Sequence, residues 1–439
     1  VIPKIDGFPE TKLMHPTRRE MMRLGLGSSA LLACGTTVPR FLATSANAMS
    51  ASAPSPAAST KGRILVVLQL SGGNDGLNTV IPYKDADYRK HRPTIQIAAN
   101  EVKTIDDHIG FHPRLDAFSK LLEAGRLGIV QSVGYPNPNR SHFESMAIWQ
   151  TAQPAPDISA PGWLARAIDA RHLAEADMPG LHISEASSLP RALQGGQQVI
   201  PSLGKLEQFQ RRLGVPEAAN PASQAQILDE LSRQKRGQSG SLLQFIERCS
   251  LITYASSQRL QQVQQAEKTL ASGTTYPEFY GLARHLKLVA QLIKAGLSTP
   301  IYYTQLDGFD THSGQANSHA GLLQQMGASL KAFLDDLEAA GAADRVLVLV
   351  FSEFGRRLDE NASAGTDHGT AAPVFLLGKP VNPGVHGPYP DLKKLDSEGD
   401  PRHTIDFRRV YATVLNQWLE VPSQDILGST FEPLPLLRG

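Results

Sequence analysis

The stretch RILVVLQLSGGNDG, residues 63–76, decides the fold. Its first eight residues form an unbroken apolar run, bounded by Gly62 on one side and Ser71-Gly72-Gly73 on the other. A strand of that kind is covered on both faces of a sheet, because a half-exposed strand would alternate apolar with polar. Similar runs recur as LGIVQSV (127–133), TPIYYTQL (299–306), RVLVLVFS (345–352) and APVFLLG (372–378). Between several of them lie segments with helical spacing, such as 115–125 and 319–341, each closed by a glycine. Strands alternating with helices predict a mainly parallel sheet flanked by helices.

Outside that alternation, residues 205–295 are rich in Gln, Leu, Arg and Glu with helical periodicity and no strand pattern, predicting a helical insertion on the core. Residues 406–420 predict an amphipathic helix. The N-terminus reads TRREMMR (17–23), then a weakly apolar run to about Gly35, then Ala46-Asn47-Ala48. This resembles a twin-arginine export signal cleaved after Ala48, which predicts a periplasmic or secreted protein. The alternative is a lipid anchor on Cys34 through LLACG (31–35). Residues 49–61 are a flexible lead-in rich in Ala, Ser and Pro. The expected organisation is therefore a leader (1–48), a linker (49–61) and one α/β domain (62–439) carrying the insertion.

Composition narrows the function classes. The 439 residues carry a formal net charge of +1, with no block of like charge, so neither nucleic acid nor an anionic membrane surface is indicated. Loss of the leader, with its six basic and three acidic residues, would bring the charge to +1 − 3 = −2. Two cysteines, Cys34 and Cys249, are too few for a disulfide framework or a thiolate metal site. No run after residue 50 predicts a membrane span.

In a parallel sheet, ligands bind beyond the carboxyl ends of the strands. After 63–70 stand Asn74 and Asp75; after 299–306, Asp310 and His312; after 345–352, Glu353; after 127–133, Arg140, Ser141 and His142; just before 372–378, Asp367 and His368. Carboxylates and imidazoles converging from separate strands suit one or two divalent cations, whether zinc, manganese, magnesium or calcium. Asp75, Asp310, His312, Glu353 and His368 are the expected ligands, and Asp367 an orienting partner of an imidazole. Asp75 could instead shape a turn, Asp310 cap a helix, and His312 or His142 be buried structural histidines. Ser141 and Glu144 read as a helix capping box, yet a serine at a helix start beside a cation is also a candidate nucleophile. Arg140 next to it could fork onto phosphate or sulfate oxygens.

LVVLQLSGGNDGLNTVIPY, GYPNPNRSHFESM, DTHSGQ, VLVLVFSEFGRR and GTDHGTAAPVFLLG together resemble a bacterial family of exported proteins of unknown function, classed with the alkaline phosphatase and sulfatase superfamily. The resemblance covers roughly residues 60 to 430. It implies a three-layer sandwich with a mostly parallel sheet between helices, a centre of divalent ions and a serine, threonine or modified cysteine nucleophile. By position it gives Asp75, Asp310, His312 and His368 as ligands and Ser141 as nucleophile. Glu353-Phe354 stands where the superfamily has Asp-His, which implies that one of two metal positions is weak, altered or absent. The expectation is an exported metal-dependent hydrolase of small anionic phosphate or sulfate esters; the alternative is a non-catalytic metal-binding or scaffold protein.

Overall fold

The computed structural model describes residues 62–155, 159–170, 179–185, 188–198, 200–204, 273–294 and 296–438. The expected leader (1–48), the linker (49–61) and, of the expected insertion, residues 205–272 and 295 lie outside the described residues, as do both cysteines.

The 63–70 run forms strand β1 (Ile64–Ser71), inside a nine-stranded sheet. The other members are β2 (Leu127–Gly134), β3 (Leu181–Ile183), β4 (Ser202–Leu203), β5 (Ile301–Asp307) and β6 (Val346–Ser352). A separate antiparallel pair follows, β7 (Arg356–Glu360) with β8 (Thr366–His368). The chain then returns to the sheet as β9 (Ala372–Leu377), β10 (Gly384–His386) and β11 (Ile405–Asp406). The strand order is β10-β2-β9-β6-β1-β5-β3-β4, with β11 also beside β2. All pairings in this sheet are parallel except those of β9, which runs opposite to both β2 and β6.

Successive side chains of a strand point to opposite faces, and β1 obeys this residue by residue. Ile64, Val66, Leu68 and Leu70 join one core cluster, while Leu65 and Val67 join another. β6 divides the same way, Val346, Val348 and Val350 against Leu347, Leu349 and Phe351. Helices cover both faces, which makes the three-layer sandwich. α1 (His142–Thr151) packs Ile148 and Trp149 on one side; α2 (Gly281–Lys294) and α3 (Gln315–Ala339) cover the other; α4 (Phe407–Thr413) joins the first side and runs on as a π-helical turn, Val414–Leu419. α3 begins earlier than the 319–341 periodicity predicts. Gln315 N donates to Ala364 O at 2.9 Å, and Gly314 takes φ +53 ahead of the helix.

His112, His182 and His319 are almost wholly buried, and burial pushes each pKa down to about 4. The unfolded chain therefore gains a proton at each near pH 6.5, which the folded chain resists until about 4. Their contribution to stability is present above pH 6.5 and is lost as pH falls through that window, by up to about 1.4 kcal/mol per pH unit and histidine. Calorimetric unfolding between pH 7 and 5 should show a steep fall in Tm; a flat profile would contradict the burial of neutral imidazoles.

Candidate metal centre

The carboxyl ends of β1, β5 and β6 lie on one edge of the sheet. The loop after β5 delivers Asp310 and His312, and the end of β6 delivers Glu353. His368 precedes a strand rather than following one. Because β9 is antiparallel, its beginning lies at the edge where its neighbours end. The glycines flanking Thr366-Asp367-His368 permit close backbone approach: a Cβ at Gly365 would stand 2.2 Å from the His312 carbonyl carbon, and one at Gly369 2.5 Å from that of Arg356. His142 enters as the first residue of α1, which follows β2.

Three imidazoles and one carboxylate meet there. His142, Asp310 and His368 offer ligand atoms that all lie within 4.8 Å of one another. His312 Nε2 joins them, 3.1 Å from Asp310 Oδ1 and 2.9 Å from His368 Nε2. His368 Nε2 is 3.2 Å, and His142 Nε2 3.4 Å, from the same Asp310 oxygen. Each ring is anchored through its other nitrogen. His142 Nδ1 stands 2.9 Å from Glu353 Oε1, His312 Nδ1 2.9 Å from Asp367 Oδ1, and His368 Nδ1 2.7 Å from the Arg140 carbonyl oxygen. Those partners only accept, so each Nδ1 carries the proton and each Nε2 presents a lone pair. Lone pairs of two imidazoles 2.9 Å apart repel unless a cation lies between them. His142 Nε2 is buried and lacks a hydrogen-bond partner. His142, His368 and Asp310, with His312 close to the last two, make a donor set that fits a divalent cation.

The electrostatics agree with that donor set. Burial works against the Asp310 carboxylate, but the hydrogen bond and positive charge of Arg356 lead the opposing influences, and its pKa comes to about 2. The Glu353 hydrogen bond raises the pKa of His142, whereas burial lowers that of His368. Hydrogen bonds from His312 and Asn361 hold Asp367 below the usual carboxylate range. Phe354, almost fully buried, lays its ring 4.7 Å from that of His368 and 5.0 Å from that of His142. A hydrocarbon wall thus lines that side of the cluster.

Several sequence expectations need correction. Asp75 is not brought to the cluster. It is fully buried, paired with Arg92 at 2.6 Å, bonded by Gln315, and it caps the one-turn helix Gly76–Thr79. Burial raises its pKa, yet Arg92 outweighs that and the net shift is downward. Glu353 lies outside the group of mutually close donor atoms, and both its oxygens are engaged: Oε1 by Gly72 N and His142, Oε2 by Ser352 Oγ. It orients His142, which moves from a supporting role into the donor set. Asn74 is buried behind the site, its Oδ1 contacted by Thr79 Oγ1 and His319 Nε2, both at 3.0 Å. The Arg140 guanidinium faces Asp396 at 3.0 Å and also binds Asp400, so its charge is already matched. The Ser141 capping box does not form. Ser141 is the N-cap by backbone, but its side chain makes no cap bond, and its own N–H donates to Asn139 Oδ1 at 2.8 Å. Ser141 is exposed and lies in sequence between Arg140, whose carbonyl anchors His368, and His142.

Arg356 escaped the sequence reading altogether. Its fully buried guanidinium reaches Gly72, Gly73, Phe309 and Thr366 carbonyls and holds Asp310 Oδ1 at 2.7 Å. The available signal was an arginine four residues beyond an apolar strand end, where a solvated charge is the ordinary assumption.

The family described as "Protein of unknown function (DUF1501)" matches residues 63–427. No curated protein matches the chain. Among solved structures, the PsFucS1 sulfatase from Pseudoalteromonas sp. is 11% identical at TM-score 0.36, covering 90% of this chain and 74% of that one. The C-terminal periplasmic domain of EcEptC from Escherichia coli, in complex with Zn, is 9% identical at TM-score 0.34, covering 73% and 74%. The alkaline phosphatase from the Antarctic bacterium TAB5 is 12% identical at TM-score 0.30, covering 74% and 95%. At such scores the likeness says nothing of activity.

Proposed function

The chain belongs to the DUF1501 family, and from that premise we propose that it is a divalent-cation-dependent hydrolase of phosphate or sulfate esters with Ser141 as nucleophile. The observation that carries the reading is the convergence of three Nε2 lone pairs on Asp310 Oδ1, each ring held by an acceptor at its Nδ1. His142, His312, His368 and Asp310 would hold a single cation, and its contribution would be Lewis acidity at the ester oxygens.

The chain's own groups supply the rest. Glu353, Asp367 and the Arg140 carbonyl fix ring orientation and tautomer. Ser141 has a hydroxyl without a cap bond at the start of a ten-residue helix, where free N–H groups and the helix dipole favour an anion. Its Oγ would bond to phosphorus or sulfur as the ester oxygen leaves, the serine proton passing to the departing alcohol. Water would then cleave the serine ester and restore the hydroxyl. Export by the twin-arginine route, the expectation from residues 1–48, would carry the folded protein outward with its cation already bound.

The test pairs metal analysis with turnover of 4-nitrophenyl phosphate and sulfate. Wild type should hold one cation per chain and lose activity to a chelator. Ser141→Ala should retain the cation and lose on the order of a thousandfold or more in kcat. Equal rates for the two proteins would end the serine mechanism. A second reading, a metal-binding protein without turnover, is favoured by one observation. Arg140 is matched by Asp396 and Asp400 and Arg356 by carbonyls and Asp310, so neither offers an uncompensated charge to an anionic substrate. It expects one cation and no hydrolysis.

A further inference from the structure

Beside the donor set opens a cleft of about 780 Å³ that shares His142 and Asp310 with it and is also lined by Glu353. One wall is a face of α1: Phe143, Met146, Ala147 and Gln150 lie one, four, five and eight positions after His142, which is helical same-side spacing. α1 is thus apolar on two sides, with Ile148 and Trp149 in the core and Phe143 and Met146 toward the cleft. Phe143 is 88% exposed, the most exposed large apolar side chain among the described residues. An aromatic ring left in water beside a candidate cation site is a cost that an occupant of the cleft would remove.

The depth of the cleft is polar and uncharged. Gln69 and Gln150, both nearly buried, bond to each other at 2.7 Å, and the Tyr303 hydroxyl bonds to Gln69 as well. Away from the donor set, the charged lining residues are Glu144 and Arg191, one of each sign. Asp310 and Glu353 add negative charge at the inner end. A second anionic group on a ligand would meet Arg191 as the one arginine or lysine of the lining, outnumbered by Glu144, Asp310 and Glu353.

We propose that this cleft binds the uncharged, aromatic or bulky apolar alcohol portion of an ester with one anionic group, with Phe143 and Met146 as its specificity surface. The inference rests on the hydrolase reading and deepens it. Rates on full-length protein would be compared for 1-naphthyl phosphate, methyl phosphate and a naphthyl phosphate bearing an additional ring sulfonate. The naphthyl ester should show the lowest KM, and Phe143→Ala should raise that KM about tenfold, with Phe143→Trp restoring it. The sulfonated ester should bind worse than its parent. Equal KM for naphthyl and methyl esters, or no penalty for the sulfonate, would overturn the proposal. Absence of turnover for every ester would sink the hydrolase reading instead. Titration calorimetry with 1-naphthyl phosphonate against methylphosphonate would then decide the cleft on binding alone: preference for naphthyl that Phe143→Ala removes supports it, and no preference refutes it.

Discussion

Purified His368→Ala protein is expected to come off the column without its cation. The ring that is lost contributes an Nε2 within 3.2 Å of Asp310 Oδ1 and 2.9 Å of His312 Nε2. Its removal leaves His142, His312 and Asp310, with an imidazole-sized gap against Phe354. Loss of affinity should exceed the roughly 10–100-fold that follows removal of a partner standing behind a ligand. Glu353→Gln supplies that milder case, because the amide still accepts from His142 while the charge is gone. Competition against a chromophoric zinc chelator gives both numbers. Protons compete for the same lone pairs, and Glu353 raises the pKa of His142. Wild-type affinity should therefore weaken as pH falls below neutrality, and the glutamine variant should begin weakening at lower pH. Undiminished metal content in His368→Ala would remove the centre from the interpretation.

The second large effect is expected at Arg356. Methionine there would leave the carbonyls of Gly72, Gly73, Phe309 and Thr366 short of a donor, and Asp310 without its guanidinium. Asp310 is half exposed, so loss of the ion pair itself costs little, but buried carbonyls left without a donor cost about 1–3 kcal/mol each, for a total of several kcal/mol. Urea unfolding of the metal-free protein should show a loss of this size. Arg356→Lys should recover part of it, since one ammonium cannot span four carbonyls and a carboxylate. Arg356 ties the loops after β1 and β5 to the β7–β8 hairpin, so the same variant should weaken cation binding as well. A change below about 1 kcal/mol would mean the guanidinium is solvated in solution.

The sheet was legible because apolar runs report burial directly. The five runs read from the sequence coincide with β1, β2, β5, β6 and β9 to within two residues. Direction was not legible, since the run at 372–377 looks the same parallel or antiparallel; its opposite sense is what explains a histidine at its start. β3, β4 and the β7–β8 hairpin, at two to five residues each, are too short for periodicity to register. At the site, residue types were readable and partners were not. Asp75 and Asp310 both follow strands in glycine-rich turns. Only tertiary packing tells that Arg92, seventeen residues on, claims the first, while Arg356 leaves the second turned toward three imidazoles. His142 was undervalued because its significance depends on Glu353, 211 positions away.

β2 pairs only with β9, β10 and β11, all of them later in the chain. A ribosome therefore releases β2 more than two hundred residues before any of these partners exists, and β2 stays apart from β6 until β9 lies between them. His142 follows β2, and Asp310 follows β5 on the far side of β6. Closing that seam and gathering the donor atoms are one event, so a nascent chain stopped short of residue 372 would have neither a united sheet nor a place for the ion.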